Sequence, residues 1–179
     1  MRREWEVTED SANNAGMAVP GAKVVVLVSV GRHPLTGRAR RAGLDARAVE
    51  AALALGRGGQ PHLLHAGGAA EGTEQALRGY LGMGVDAIEL LRLPEHADAA
   101  PALERRLREL APGLVLCGVR SETGESSGLL PYVLAENLGW SMVTGVVSVE
   151  AVNNDAATEA ARATLAVGRD GGREGDGGR

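Results

Sequence analysis

A polar loop at residues 119–128 combines residue types that suit phosphate binding. Ser126, Ser127 and Gly128 come just before a predicted helix, where free backbone N–H groups and the helix dipole favour an anion. Arg120 can pair with the same charge. The same residues also fit a solvated loop with a serine N-cap, because neither a Gly-Lys-Ser/Thr phosphate loop nor a Gly-x-Gly-x-x-Gly motif occurs here. The loop is therefore a candidate phosphate site.

Two more small or polar segments, residues 29–36 and 65–68, also follow predicted strands. Ligands of open α/β sheets bind outside the carboxyl ends of the strands, where the strand order reverses. If the sheet is wound outward from the first strand, the turns after the first and fourth strands face one crevice. We expect the ligand there, with Glu122 and Glu125 accepting hydrogen bonds from ribose hydroxyls.

The elements that position these loops alternate between strand and helix. Lys23–Val30 is a continuous run of mainly β-branched residues, which is typical of a strand buried on both faces of a parallel sheet. Further predicted strands are Pro61–His65, Ala87–Leu91, Gly113–Cys117, Met142–Val149 and Ala160–Val167. Predicted helices are Asp45–Leu55 with Asp45 as the cap, Thr73–Met83, Asp98–Leu110 and Leu129–Leu138. This alternation predicts an α/β fold with three α/β/α layers and a mostly parallel, Rossmann-like sheet.

Several kinds of catalytic chemistry lack support in the sequence. The four histidines have no metal-ligand spacing, and Cys117 has no partner for a Cys-x-x-Cys motif. Ser121 does not lie in a Gly-x-Ser-x-Gly elbow, which argues against a hydrolase. A single cysteine also excludes an internal disulfide framework and fits a reducing compartment. We therefore expect a cytoplasmic protein that is not an enzyme in its own right.

Charge and composition narrow the range of partners. The net charge of −4 and the few aromatic residues disfavour nucleic-acid binding, and no apolar stretch is long enough to span a membrane. Arginines are dense between Arg32 and Arg47, which indicates either a solvated face or a contact with an anion or a partner. We expect residues 1–21 to be a disordered leader, 22–167 the folded domain and 168–179 a disordered, Gly-rich tail.

Five segments, in order, resemble β subunits of electron transfer flavoproteins. The matches are the run Val24–Val30, the helix that starts at Asp45, the segment Ala76–Asp86, the strand Leu114–Gly118 with its acidic loop, and Leu138–Gly145. The resemblance covers roughly Lys23 to Arg169. It departs where the family has Asn-Pro before the first helix, since Ala42-Gly43 stands there.

The resemblance implies an adenine-nucleotide-binding fold and a heterodimer with an α subunit that holds FAD. The β subunit would bind a structural AMP, with a second FAD as the alternative in some members. The pair would carry electrons from flavoprotein dehydrogenases to a downstream acceptor. By position in the family, the cofactor-binding residues would be Ser29, Ala66, Val119, Arg120, Ser121, Glu122, Thr123, Gly124, Glu125, Ser126, Ser127 and Gly128.

Family chains continue past the last predicted strand into a loop that docks dehydrogenases and an arm that wraps the α subunit. From the resemblance we expect this chain to be truncated at its C-terminal end, with residues 168–179 in place of those parts. Two other functions remain open at this point. One is a stand-alone nucleotide-binding module of the universal-stress type, and the other is a truncated homologue without function.

Overall fold

The computed structural model describes residues 23–55, 59–68, 70–123 and 126–149, and the backbone of a strand at 163–167. The predicted leader and the predicted tail lie outside the described residues, so both stay predictions. In chain order the elements are β1 (Val24–Leu27), β2 (Val30–Arg32), β3 (Ala39–Arg41), α1 (Gly43–Leu55), β4 (His62–Gly67), α2 (Thr73–Leu81), β5 (Ile88–Arg92), α3 (Ala100–Leu110), β6 (Leu114–Gly118), α4 (Leu130–Leu138), β7 (Ser141–Val146) and β8 (Ala163–Val167).

Six strands form one sheet in the order β5-β4-β1-β6-β8-β7, and every neighbouring pair is parallel. On one side of β1 the order runs outward through β4 and β5; on the other side β6 is next to β1, and β8 lies between β6 and β7. The first and fourth predicted strands, β1 and β6, are thus neighbours, as expected for a sheet wound outward from the first strand. Val25 lies opposite His62 of β4 on one side and opposite Val115 of β6 on the other. All carboxyl ends of a parallel sheet meet at one edge, so the turns after β4, β1 and β6 lie side by side there.

Each face of the sheet packs against helices. Val26 of β1 belongs to the cluster that includes Val49 of α1 and Leu77 of α2. Val25, the preceding residue, belongs to the opposite cluster, with Leu103 of α3 among its members. Successive side chains of a strand point to opposite faces, so a strand buried on both faces needs an unbroken apolar run. The predicted three-layer α/β/α fold is confirmed.

The first predicted strand is divided in the structure. β1 ends at Leu27, and Val30 begins β2, which pairs with β3 as an antiparallel hairpin outside the main sheet. The turn of this hairpin is closed by hydrogen bonds from the His33 N–H to the Arg38 carbonyl and from the Gly37 N–H to the His33 carbonyl, both 2.8 Å. Gly37 has a φ of 66°, a conformation that glycine adopts without steric cost. The single strand predicted over Lys23–Val30 was therefore wrong beyond Leu27, and the hairpin was not predicted.

We predict that Leu64→Ala lowers the free energy of unfolding by about 2–5 kcal/mol, because it leaves a cavity in a fully buried position. Leu64 is 0% exposed on β4, whereas Leu35 at the hairpin turn is 89% exposed. Leu35→Ala is the matched control and should change stability by less than about 0.5 kcal/mol. Urea unfolding of both variants measures the difference, and equal losses would contradict the layer assignment.

Candidate functional site

The buried carboxylate of Asp45 ties the ends of β1 and β6 together. Its Oδ2 atom accepts hydrogen bonds from the Ser29 N–H at 2.7 Å and the Ser29 hydroxyl at 2.5 Å. Its Oδ1 atom accepts one from the Gly118 N–H at 3.1 Å. Burial raises the pKa of Asp45, and these hydrogen bonds and the nearby Glu122 charge act as smaller influences.

The predicted role of Asp45 as the helix cap was wrong. α1 begins at Gly43, so Asp45 is its third residue, and the Ala46 N–H bonds the Ala42 carbonyl within the helical pattern. The carboxylate turns away from its own helix because the donors of Ser29 and Gly118 lie beside it. An aspartate before an apolar helix is typical of a cap, and local sequence does not contain these distant donors.

Tyr80 of α2 is fully buried beneath the turn that follows β1. Its hydroxyl donates to the Ser29 carbonyl at 2.7 Å and accepts from the Ala42 N–H at 2.9 Å. Burial, and next the negative charge of Asp45, raise the pKa of this phenol well above its usual range, so it stays protonated. The sequence showed Tyr80 only as part of a helical spacing, and its polar role went unpredicted.

Glu122, from the loop after β6, covers the N-terminus of α1. Its Oε1 atom accepts from the Gly43 N–H at 2.8 Å, and its Oε2 atom accepts from Arg40 at 2.8 Å. A carboxylate at a helix N-terminus is stabilised by the helix dipole. A Cβ atom on Gly31 would lie 2.5 Å from the Glu122 carboxylate, which explains glycine in β2. Glu122 thus already holds protein donors where we predicted ribose hydroxyls.

The neighbouring loop residues fold onto the turn after β1. Thr123 donates its hydroxyl hydrogen to the Val30 carbonyl at 2.8 Å, and the Ser121 hydroxyl donates to the Thr123 carbonyl at 2.7 Å. On the other side, Nδ1 of His65 in β4 donates to the Val28 carbonyl at 2.8 Å. Burial lowers the pKa of His65, so the ring is neutral at pH 7. Strand β4, the turn after β1 and the loop after β6 are therefore joined by hydrogen bonds.

The remaining predicted site residues lie at two depths. Ala66 and Val119 are half-buried against the core on the α3 and α4 side. Ser29 lies at the centre, with both of its donors directed to Asp45. Arg120 is exposed, and no described residue forms an ion pair with it. Gly124 and Glu125 lie outside the described residues, so their predicted roles have no structural counterpart here.

The start of α4 has the features of a phosphate site. Ser126 and Ser127 are exposed, and the Ser127 Oγ atom accepts from the Leu129 N–H at 3.3 Å. Leu129, the N-cap residue, makes no side-chain capping bond. Pro131 has no N–H, so Leu130 and Tyr132 supply the first-turn N–H groups of α4 that have no described side-chain acceptor. A Cβ on Gly128 would lie 3.5 Å from the Cβ of Arg120, which places that arginine beside the helix start. These residues fit the phosphate part of a nucleotide.

Other chemistry finds little support in the part of the chain that the structure describes. No group of three or more His, Cys, Asp or Glu residues within it could hold a metal ion. Burial, and to a smaller extent the Asp45 charge, raise the pKa of Cys117 to about 12, so its thiol is protonated and a weak nucleophile at neutral pH. No described helix is long and apolar enough to cross a membrane.

A parallel sheet between two helical layers, with three polar turns at its carboxyl edge, defines a Rossmann-like α/β protein. The family model for the electron transfer flavoprotein domain matches residues 37–167. The chain belongs to the electron transfer flavoprotein family. It is 55% identical over 139 residues to the electron transfer flavoprotein subunit beta of Chromohalobacter salexigens, a match that covers 78% of this chain and 52% of that protein. The chain thus spans about half the length of this relative, and the resemblance to β subunits is confirmed.

We predict that Asp45 makes stability fall as the pH rises. Its folded pKa is raised above 3.8, so between that value and the folded pKa the folded chain binds more protons than the unfolded chain. The contribution is complete below the unfolded pKa and is lost as the pH passes the folded pKa. Urea unfolding of wild type and Asp45→Asn across this range measures it. The wild-type stability relative to the variant should decrease with rising pH, and an increase would contradict the prediction.

We predict that Gly118→Ala destabilises the chain by about 1–3 kcal/mol, because the new Cβ overpacks the junction of β6 and α1. That atom would overlap Asp45 Oδ1 and lie 2.9 Å from the Leu44 Cβ. Gly82→Ala is the control, since its nearest described atom is the Gly79 carbonyl oxygen at 3.6 Å. It should be neutral or stabilise by up to about 1 kcal/mol. Thermal or urea unfolding compares the two, and a neutral Gly118→Ala would show that the junction has room to spare.

Proposed function

We propose that the chain acts as the β subunit of an electron transfer flavoprotein. In this proposal it packs on an FAD-bearing α subunit, binds AMP and helps to carry electrons from flavoprotein dehydrogenases to a downstream acceptor in the cytoplasm. The observation that carries the proposal is the 55% identity, over 139 residues, to a protein named as such a subunit. The fold agrees, because its three polar turns meet at the edge where mononucleotides bind.

The AMP phosphate would lie at the start of α4. The first-turn N–H groups of that helix would donate to it, and Arg120 would add a charge-assisted hydrogen bond. Ser126 and Ser127 are exposed beside it and can donate their hydroxyl hydrogens. The half-buried Ala66 and Val119 would contact the less polar part of the nucleotide.

The other predicted contacts would act through the loop backbone. Ser121 and Thr123 use their hydroxyl groups to fix the loop, and Glu122 uses its carboxylate for the same purpose. Ser29 would contribute through the lone pairs of a hydroxyl whose hydrogen is directed to Asp45. Gly124 and Glu125 complete the proposed set.

Redox chemistry in the complex would be supplied by the flavin. The residues of this chain would bind, orient and shield, which requires a rigid frame and no catalytic side chain. The Asp45 and Tyr80 hydrogen bonds provide such a frame at the sheet edge. We accordingly assign the chain the role of an electron-carrier subunit.

Exposed apolar residues on α4 support association with another subunit. Leu129 is 59% exposed, Tyr132 53% and Val133 41%. Their spacing of three and four residues places them on one side of the helix. Contiguous apolar side chains on a surface are typical of protein interfaces. We propose that this side of α4 contacts the α subunit.

We predict that coexpression with an α subunit from the same genome yields a yellow complex containing both FAD and AMP. Mass spectrometry of the denatured complex identifies the nucleotides, and the flavin absorbance reports FAD. Arg120→Gln should weaken AMP binding by about tenfold, because it removes one charge-assisted hydrogen bond. Arg105→Gln, an exposed arginine of α3, is the control and should leave AMP binding unchanged.

Three results would contradict parts of this proposal. A colourless chain that purifies without nucleotide and ignores the α subunit would refute the proposal. Tighter binding of ATP than of AMP by the isolated chain would favour a stand-alone nucleotide-binding module. Equal AMP affinity in the Arg120 and Arg105 variants would move the phosphate away from α4.

A further inference from the structure

A groove of about 990 Å³ lies between the β2–β3 hairpin, α1 and α2. We name it the hairpin groove; the side chains that matter for its chemistry are Arg38, Arg40, Arg41, Arg47, Glu50 and Gln75. None of the predicted AMP contacts lines it. It is therefore a different concave surface from the proposed nucleotide site.

Positive charge is concentrated in the hairpin groove. Four arginines line it, and two carboxylates accompany them: Glu50 in the lining and Glu122, which pairs with Arg40, in a chain whose net charge is −4. Two of the four have fixed positions, because Arg40 pairs with Glu122 at 2.8 Å and Arg41 donates to the Gly79 carbonyl at 3.2 Å. Arg38 is exposed and forms no ion pair with a described residue. A local excess of guanidinium groups in a concavity attracts and concentrates anions.

The walls of the groove contain little apolar surface. The apolar residues among its described lining are Ala39, Ala46 and Ala76, and the ring present there is the imidazole of His33. Protein interfaces depend on large buried anchors such as Trp, Tyr and Phe, and none of these is among the described lining residues. The volume falls within the range of about 300–1,000 Å³ that is common for small-molecule sites. These properties favour a small, highly charged ligand over a protein partner.

We propose that the hairpin groove binds a compact phosphate polyanion of the diphosphate or triphosphate type. A guanidinium group presents a planar fork of N–H donors that matches two phosphate oxygens, and several forks in one groove suit a ligand with several phosphates. Glu50 lies three residues from Arg47 on α1 and repels an anion there, so the phosphates lie toward the hairpin arginines Arg38 and Arg41. The Gln75 amide offers a further N–H donor from the α2 wall. The assignment is independent of AMP binding at the start of α4.

We predict that the full-length chain binds inorganic tripolyphosphate at fixed ionic strength, as measured by isothermal titration calorimetry. The double variant Arg38→Gln with Arg41→Gln should bind it at least about tenfold more weakly, because two charged donors of the hairpin are lost. The double variant Arg92→Gln with Arg105→Gln removes the same charge from exposed positions elsewhere and should bind like wild type. An unchanged amide NMR spectrum outside the substituted sites confirms that each variant is folded.

The location of binding comes from backbone amide shifts. Shifts in residues 36–47 and 75–79 on addition of tripolyphosphate support the proposal, whereas shifts confined to the start of α4 overturn it and leave the AMP proposal intact. Equal affinity of both double variants also overturns it, since charge alone would then account for binding. Tighter binding of a decaglutamate peptide, or binding to phosphatidylglycerol vesicles but not to tripolyphosphate, would assign the groove to a protein or a membrane instead.

Discussion

One buried carboxylate links the ends of two neighbouring strands at the carboxyl edge of the sheet. Asp45 accepts hydrogen bonds from Ser29, after β1, and from Gly118, at the end of β6, across 16 and 73 residues of sequence. Burying a carboxylate is costly, and the raised pKa of Asp45 shows that desolvation outweighs the bonds it accepts. Asp45 therefore contributes more to the positions of the two strand ends than to the free energy of unfolding. It fixes these ends on either side of the point where the sheet order reverses.

A second layer of polar contacts depends on that arrangement. The Tyr80 hydroxyl donates a hydrogen bond to the Ser29 carbonyl, and the Glu122 carboxylate accepts one from the N–H group at the N-terminus of α1. The first contact satisfies the Ser29 carbonyl in the bend after β1, and the second satisfies the Gly43 N–H at the start of α1. Glycine at position 118 is needed because any Cβ would enter the space that Asp45 occupies. The chain between β1 and α1 can thus leave the sheet as a hairpin and still return to a well-defined helix start.

The parts of this structure that sequence predicts are those with a local cause. The run Val24–Leu27 is apolar because both faces of β1 are buried, and the alternation of strands and helices follows from the same patterning. The site residues depend on long-range contacts. Asp45 resembles a cap because its distant donors are invisible in local sequence, and Tyr80 resembles a core residue for the same reason. The hairpin was missed because its short strands are rich in arginine, although Thr36-Gly37 is a recognisable turn signal.

Two helix N-termini, those of α1 and α4, lie near the loops of this edge, and they differ in whether a carboxylate of the protein complements the helix dipole. The dipole of α1 is already complemented by Glu122, whose charge is in turn balanced by Arg40. The start of α4 has no side-chain cap, and the nearby Arg120 has no described ion-pair partner. A phosphate that approaches this edge is repelled by the carboxylate at α1 and attracted by the uncapped N–H groups and the arginine at α4. The loop after β6 therefore fills one anion position with its own side chain, and in the proposed complex the AMP phosphate would take the other.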